Sequence, residues 1–204
     1  VVTETLKDST DHIASKTKTT WHEYAWGEEI IEEVIDPDNS ALTTTMTYYD
    51  VTGENGYGRM KSQVNPDGSW VRYEYDSAGR KIAEISSWLD SPVGTAAGSA
   101  RAVYYDYTPQ DSTDSDMPED VRRPRKITEE IQGIIVAKTF YVYMVDGITG
   151  DRTEIMEKAA NQAAGFGASG NERTVTVTYV YGEDSPGSGK TKSITYPDAR
   201  MDSY

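Results

Sequence analysis

The chain has 204 residues, a formal net charge of −14 and a pI near 4.5, so a phosphate backbone or an anionic membrane surface would be repelled and neither is an expected partner. It has no cysteine, which excludes disulfides, thiolate metal sites and cysteine nucleophiles. No apolar run approaches the roughly 18 residues of a membrane span.

Hydrophobic residues make up 36%, with 15 Tyr and 4 Trp against 2 Phe. Tyr buries a ring and keeps a polar tip, which suits a sheet with one wet face. The chain opens Val1-Val2-Thr3 without Met or a signal-like segment, which suggests a processed or excised piece. Residues 1–15 read as a lead-in and residues 16–204 as one repeat array.

An aromatic–any–aromatic triplet recurs along that array. It appears as Tyr24-Ala25-Trp26-Gly27, Tyr73-Glu74-Tyr75-Asp76, Tyr141-Val142-Tyr143-Met144 and Tyr179-Val180-Tyr181-Gly182. Thr47-Tyr48-Tyr49-Asp50 and Val103-Tyr104-Tyr105-Asp106 are looser copies. The spacing grows from 23 to 38 residues, as expected for one short unit carrying insertions. Extended stretches at 30–35, 59–64 and 190–196 each run into a Pro-Asp turn: Asp36-Pro37-Asp38-Asn39-Ser40, Asn65-Pro66-Asp67-Gly68-Ser69 and Tyr196-Pro197-Asp198-Ala199-Arg200.

The clearest unit spans 64–85. By period two, Trp70, Arg72, Glu74 and Asp76 share one face, and Val71, Tyr73 and Tyr75 the other. Asp76-Ser77-Ala78-Gly79-Arg80 then turns, with Gly79 suited to a left-handed position, and residues 81–85 return. The expected fold is therefore all-β: tandem antiparallel hairpins forming a curved sheet or part of a β-shell. Insertions fall near 86–102, 108–122 and 155–172. Asp151 and Glu154 have capping-box spacing ahead of an Ala-rich run, so at most one short helix is expected, near 153–164.

The run Asn65-Pro66-Asp67-Gly68-Ser69-Trp70-Val71-Arg72-Tyr73-Glu74-Tyr75-Asp76-Ser77-Ala78-Gly79-Arg80 resembles a complete tyrosine–aspartate (YD, or RHS-type) repeat. Gly187 to Asp198 resembles the stretch leading into another, and Asp202-Ser203-Tyr204 resembles the start of the next triplet. The resemblance is specific over 64–80, weak over 86–170, and covers about two thirds of the chain. It rests on Pro66, Asp67, Gly68, Tyr73, Tyr75, Asp76, Gly79, Arg80, Pro197 and Asp198 as structural signature positions. In that family, bacterial RHS proteins, toxin-complex shell subunits and animal teneurins spiral such repeats into a large sheet that can enclose a polypeptide. The resemblance implies a secreted or cell-surface setting and carries over no catalytic residue. The Asp-Pro-any-Gly-Leu-like signature that ends complete bacterial shells has no match, so self-cleavage is not expected of this piece.

Other motifs weigh less. Asp184-Ser185-Pro186-Gly187-Ser188-Gly189-Lys190-Thr191 resembles a phosphate-binding loop, but Asp184 replaces its first glycine and a strand pattern follows instead of a helix. Gly165-Phe166-Gly167-Ala168-Ser169-Gly170 matches a dinucleotide-binding pattern, yet it precedes a strand-like stretch, so it reads as a flexible loop. His12 and His22 lie in no ligand spacing. Asp111, Asp114, Asp116, Glu119 and Asp120 read as a solvated acidic loop; their spacing does not fit a helix–loop–helix calcium site.

No catalytic, cofactor or metal site is expected. The function expected is structural: shell, stalk or fibre that encloses or displays other parts. Its partners would be other segments of a parent protein, or neighbouring copies, paired through β edges. In particular, residues 192–204 are expected to pair with a strand outside the regular array. The alternative is a module binding carbohydrate or a surface protein through exposed aromatics, with Trp21, Trp26, Trp70 and Trp88 as the candidate platform.

Overall fold

The computed structural model describes residues 1–7, 9–115, 117–179 and 189–204. The fold is all-β: fourteen strands follow one another in chain order through an antiparallel sheet. They are β1 Val2–Lys7, β2 Ile13–Tyr24, β3 Gly27–Ile35, β4 Leu42–Tyr48, β5 Met60–Val64, β6 Trp70–Tyr75 and β7 Lys81–Ser86. There follow β8 Arg101–Asp106, β9 Lys126–Ile131, β10 Ile134–Val145, β11 Arg152–Lys158, β12 Glu172–Thr178, β13 Thr191–Thr195 and β14 Met201–Ser203. The aromatic triplets lie on or just after the even-numbered strands, from Tyr24 at the end of β2 to Tyr143 in β10 and Tyr179 after β12. One repeat is thus two strands long.

Residues 1–15 do more than lead in. β1 pairs with β2 from Val2 opposite Thr19 to Lys7 opposite Ile13. At the other end, β13 is paired on both sides, Ile194 lying opposite Thr176 of β12 and Asp202 of β14. This part of 192–204 therefore pairs within the chain's own array, contrary to expectation, while β14, like β1, has one strand neighbour among the described residues.

Residues 153–164, where at most one short helix was expected, contain none. Residues 152–158 form β11, where Ile155 lies opposite Val142 of β10 and Val175 of β12. Two full ladders outweigh a helix preference of at most about 0.7 kcal/mol per residue. Asp151, the expected cap, instead accepts a 2.8 Å bond from Lys192 Nζ. Helical structure among the described residues is limited to Pro118–Val121 and a 3-10 turn at Ala97–Ser99.

The chain forms two compact units: Val1–Ala102 with Ile131–Gly133, and Val103–Glu130 with Ile134–Tyr204. In the first, Trp70, Ala83, Ile85, Ala100 and Ala102 are buried, with Val34. Arg72 pairs with Ile85 and Glu74 with Ala83, so the face shared by Trp70, Arg72 and Glu74 is the one that receives the core. In the second, Val103, Phe140, Val142, Tyr143 and Ala164 are buried.

Candidate functional site

The signature residues fall at hairpin ends, where one pair of backbone bonds recurs. At the β6–β7 turn the Asp76 N–H donates to the Arg80 carbonyl, and the Gly79 N–H donates back to the Asp76 carbonyl, both at 2.9 Å. The same pair joins Asn65, Gly68 and Ser69, and again Tyr196, Ala199 and Arg200. It also closes longer loops: Tyr49 with Gly58 and Arg59, Asp146 with Gly150 and Asp151, and Tyr179 with Gly189 and Lys190. In all six the residue before the closing one is left-handed, with φ from 63° to 82°. This is the geometry of a turn ending in a glycine bulge, and only Ala199 supplies it without glycine. The turn at Asp36 differs. There Asp36 itself is left-handed, its carbonyl accepts from Asn39 and Ala41, and its N–H donates to Lys16.

Side chains reinforce these ends. Asp76 Oδ1 accepts from the Ala78 and Arg80 N–H groups at 2.9 and 2.8 Å, and Oδ2 from Arg80 Nε at 2.7 Å. Partial burial works to raise the Asp76 pKa, but the Arg80 bonds and charge outweigh it and hold the carboxyl below its ordinary value. Asp67 is likewise lowered, chiefly by the Ser69 hydroxyl at 2.6 Å and the Ser69 N–H at 2.9 Å. Pro66 presets the turn that Asp67 caps. Asp198 Oδ1 does the same for the Arg200 N–H after Pro197, at 3.1 Å.

Tyrosine hydroxyls stitch strands together, the Tyr49 bond reaching past β5 to β6. Tyr49 donates to the Tyr73 carbonyl at 2.7 Å and Tyr75 to Met60 at 3.1 Å; Tyr48 donates to Ile30 at 3.0 Å. The Tyr49 and Tyr75 rings meet edge to face, 5.8 Å apart, over Gly56. A Cβ there would lie 2.6 Å from Tyr75 and 3.0 Å from Tyr49.

The four tryptophans form no common platform. Trp70 is only 3% exposed and donates to the Ser91 carbonyl at 2.8 Å, which removes it from any surface. Trp88 is half-buried and Trp21 exposed. Trp26 stacks on Tyr24, 4.5 Å between centroids and 7° between planes, and meets Tyr57 edge-on at 5.0 Å. Tyr24 also touches Tyr48 and His22. Burial first, then the charges of Asp50 and Glu29, raise the Tyr24 hydroxyl above its ordinary pKa. Sequence reading pointed to Trp26 but not to the rings around it, because Tyr57 arrives from a different loop.

Two buried polar nodes in the second unit went unforeseen. Arg125 pairs with Asp114 at 2.8 Å, both side chains almost fully buried. Its guanidinium also donates to the carbonyls of Ser115 at 2.9 Å, Arg123 at 2.7 Å, and Asp120. It lies 4.6 Å from the Tyr143 ring centroid. Burial pushes the Tyr143 hydroxyl up to about 12 against the opposing charges of Arg123 and Arg125. The segment expected to be a solvated acidic loop is thus partly folded inward: Asp114 faces Arg125, and buried Asp120 lies 3.7 Å from Arg123 and 3.6 Å from Arg152.

The second node is Glu157. Its carboxylate accepts from the Gly167 N–H and Asn171 Nδ2 at 2.5 Å each, and from Arg173 Nε at 3.0 Å. The glycine run 165–170 therefore has its backbone donor occupied by the chain's own carboxylate, where a dinucleotide loop would offer it to phosphate. Residues 180–188, with most of the phosphate-loop look-alike, and Asp116 lie outside the described residues; Thr191–Thr195 after that look-alike is strand β13. No helix among the described residues is long and apolar enough to cross a membrane.

No model of a known protein family matches the chain, and no curated protein matches it.

Proposed function

We propose that the chain is a non-catalytic structural repeat segment of the tyrosine–aspartate type, part of a secreted or surface protein in which it serves as shell, stalk or fibre. The observation that carries this reading is the two-strand unit itself. Aromatic residues lie on or just after successive even strands, and six hairpin ends share one closure whatever the loop between them. Such a unit buries little alone and becomes stable by stacking on its neighbours, which suits spacing, enclosing or displaying. Strands β1 and β14 each have one strand neighbour in the described residues, which leaves edges for other segments or copies to pair with. The test is size-exclusion chromatography with electron microscopy of the parent protein. Repeats found in a wall, stalk or fibre are the expected result; a discrete, detached head would overturn the reading.

A second reading, a surface module for carbohydrate or protein, is favoured by one observation: the part-exposed ring cluster at Trp26.

A further inference from the structure

Charge is very unevenly distributed. Residues 19–58 contain no lysine or arginine and nine carboxylates: Glu23, Glu28, Glu29, Glu32, Glu33, Asp36, Asp38, Asp50 and Glu54. This stretch holds most of the net charge of −14. It also holds the cluster of Tyr24, Trp26, Tyr48 and Tyr57.

Elsewhere the sheet supplies its aromatic faces with cations of its own. Arg59 lies 5.5 Å from the Tyr75 centroid, Lys61 5.0 Å from Tyr49, Lys81 5.4 Å from Tyr73, and Arg200 4.3 Å from Tyr196. Among the described residues no lysine or arginine lies over Tyr24, Trp26, Tyr48 or Tyr57. Those rings have carboxylates beside them instead: the Trp26 indole N–H donates to Glu29 at 3.2 Å, and exposed Asp50 acts on Tyr24, helping to raise its hydroxyl pKa. Tyr57 is 36% exposed, while Tyr24, Trp26 and Tyr48 are half-buried, so the cluster meets solvent chiefly at Tyr57. A ring face attracts a cation, and a nearby carboxylate strengthens that attraction.

We propose that the Trp26 cluster is a docking surface for a basic polypeptide segment, whose Lys or Arg side chains lie over Tyr57, held in place by Trp26, and pair with Glu29 and Asp50. Charge complementarity selects this occupant. The charged groups around the rings are carboxylates, acceptors that a donor-rich cation matches, whereas a neutral sugar needs donors and acceptors together. A second copy of the chain brings the same negative charge and is repelled. The proposal deepens the second functional reading and is independent of the structural one, which the location of the repeats by microscopy tests separately.

The experiment is fluorescence anisotropy of a labelled Lys-Gly repeat peptide titrated with the full chain near physiological salt. Saturable binding is expected. Tyr57→Ala should weaken it about two- to fivefold, the size of an exposed cation–π contact, and Trp26→Leu, which removes the ring that Tyr57 rests against, should weaken it as well. Glu29→Gln should weaken it too, while Glu172→Gln, an exposed carboxylate of the other unit, should leave it unchanged. If Trp26→Leu fails to fold by circular dichroism, the Tyr57 and Glu29 variants carry the test. Absence of peptide binding, equal losses at Glu29 and Glu172 with none at the rings, or displacement of the peptide by a neutral oligosaccharide would each overturn the proposal.

Discussion

Two insertions show different ways of tying a loop to the same scaffold. Residues 87–100 are held by Trp70, whose indole donates to Ser91, and by Arg72, which donates to the Thr95 carbonyl at 2.7 Å. Residues 107–124 are held by a buried ion, Arg125, with Asp114 and three carbonyls around it. The first anchor gains from burying a large ring and leaves little unpaired. The second must desolvate two charges, which costs several kcal/mol per ion and is repaid only if nearly every donor is used. The buried polar residues Asp120, Arg125, Thr128, Asp151 and Glu157 all fall in the second unit. An insertion whose carbonyls turn inward calls for donors, and a guanidinium supplies five in one fork.

The largest expected effect tests the ionic anchor. Arg125→Met should cost about 3–5 kcal/mol, because it strands Asp114 and three carbonyls. Adding Asp114→Leu should recover only part of that, which urea denaturation of both variants would measure. Full recovery would mean that the carbonyls find other partners and the two anchors are alike. Next comes a steric test of the first unit. Gly56→Ala meets both left-handed strain and two tyrosine rings, so a loss of about 2–4 kcal/mol is expected in the same assay.

Gly79→Val should cost about 1–2 kcal/mol or more from left-handed strain on a branched residue, because only the flexible end of Arg59 lies near a Cβ there. An unchanged midpoint would contradict the closure as a stabilising device. Acid should act on both units through their turns. The carboxyls of Asp67, Asp76 and Asp146 are all held below their ordinary range. Their contribution is therefore present above the unfolded pKa of about 3.9 and is lost as pH falls through the lower folded values. Asp76→Asn should flatten part of that acid slope, by about 1 kcal/mol or less, as followed by thermal unfolding at a series of pH values. The smallest change is a gain: Ala199→Gly should stabilise by at most about 1 kcal/mol, since it relieves the one closure built on a left-handed alanine.

What the sequence disclosed and what it hid divide along range of interaction. Pro66, Asp67, Gly68, Asp76 and Gly79 could be placed at turns because their hydrogen bonds are local, within four residues. The tyrosines could be placed on strands by alternation. The segment after Asp151 stayed open between strand and short helix, because Asp151 and Glu154 have the spacing of a helix cap while the partners that make 152–158 a strand lie on β10 and β12. In the sequence Arg125 is one of four basic residues set close together, with Arg122, Arg123 and Lys126. That it alone turns inward depends on Asp114, eleven residues earlier across a loop. Glu157 was equally illegible, since its donors Gly167, Asn171 and Arg173 come from the far side of an insertion.

The recurring closure has a consequence for how such a chain can change over time. The two bonds that close each of these six hairpins are made by the two flanking residues and the left-handed residue just before the second, so they are indifferent to the rest of the loop. Three residues separate Asp76 from Arg80, and nine separate Tyr49 from Arg59, under the same seal. Lengthening a loop costs only about 0.6 kcal/mol per doubling once its ends are held. Genetic insertions at these tips should therefore be nearly free of penalty to strand register, which makes the hairpin ends natural grafting points for foreign peptides. The exposed tip at Ile148, between the sealed ends Asp146 and Asp151, is where an engineer should begin.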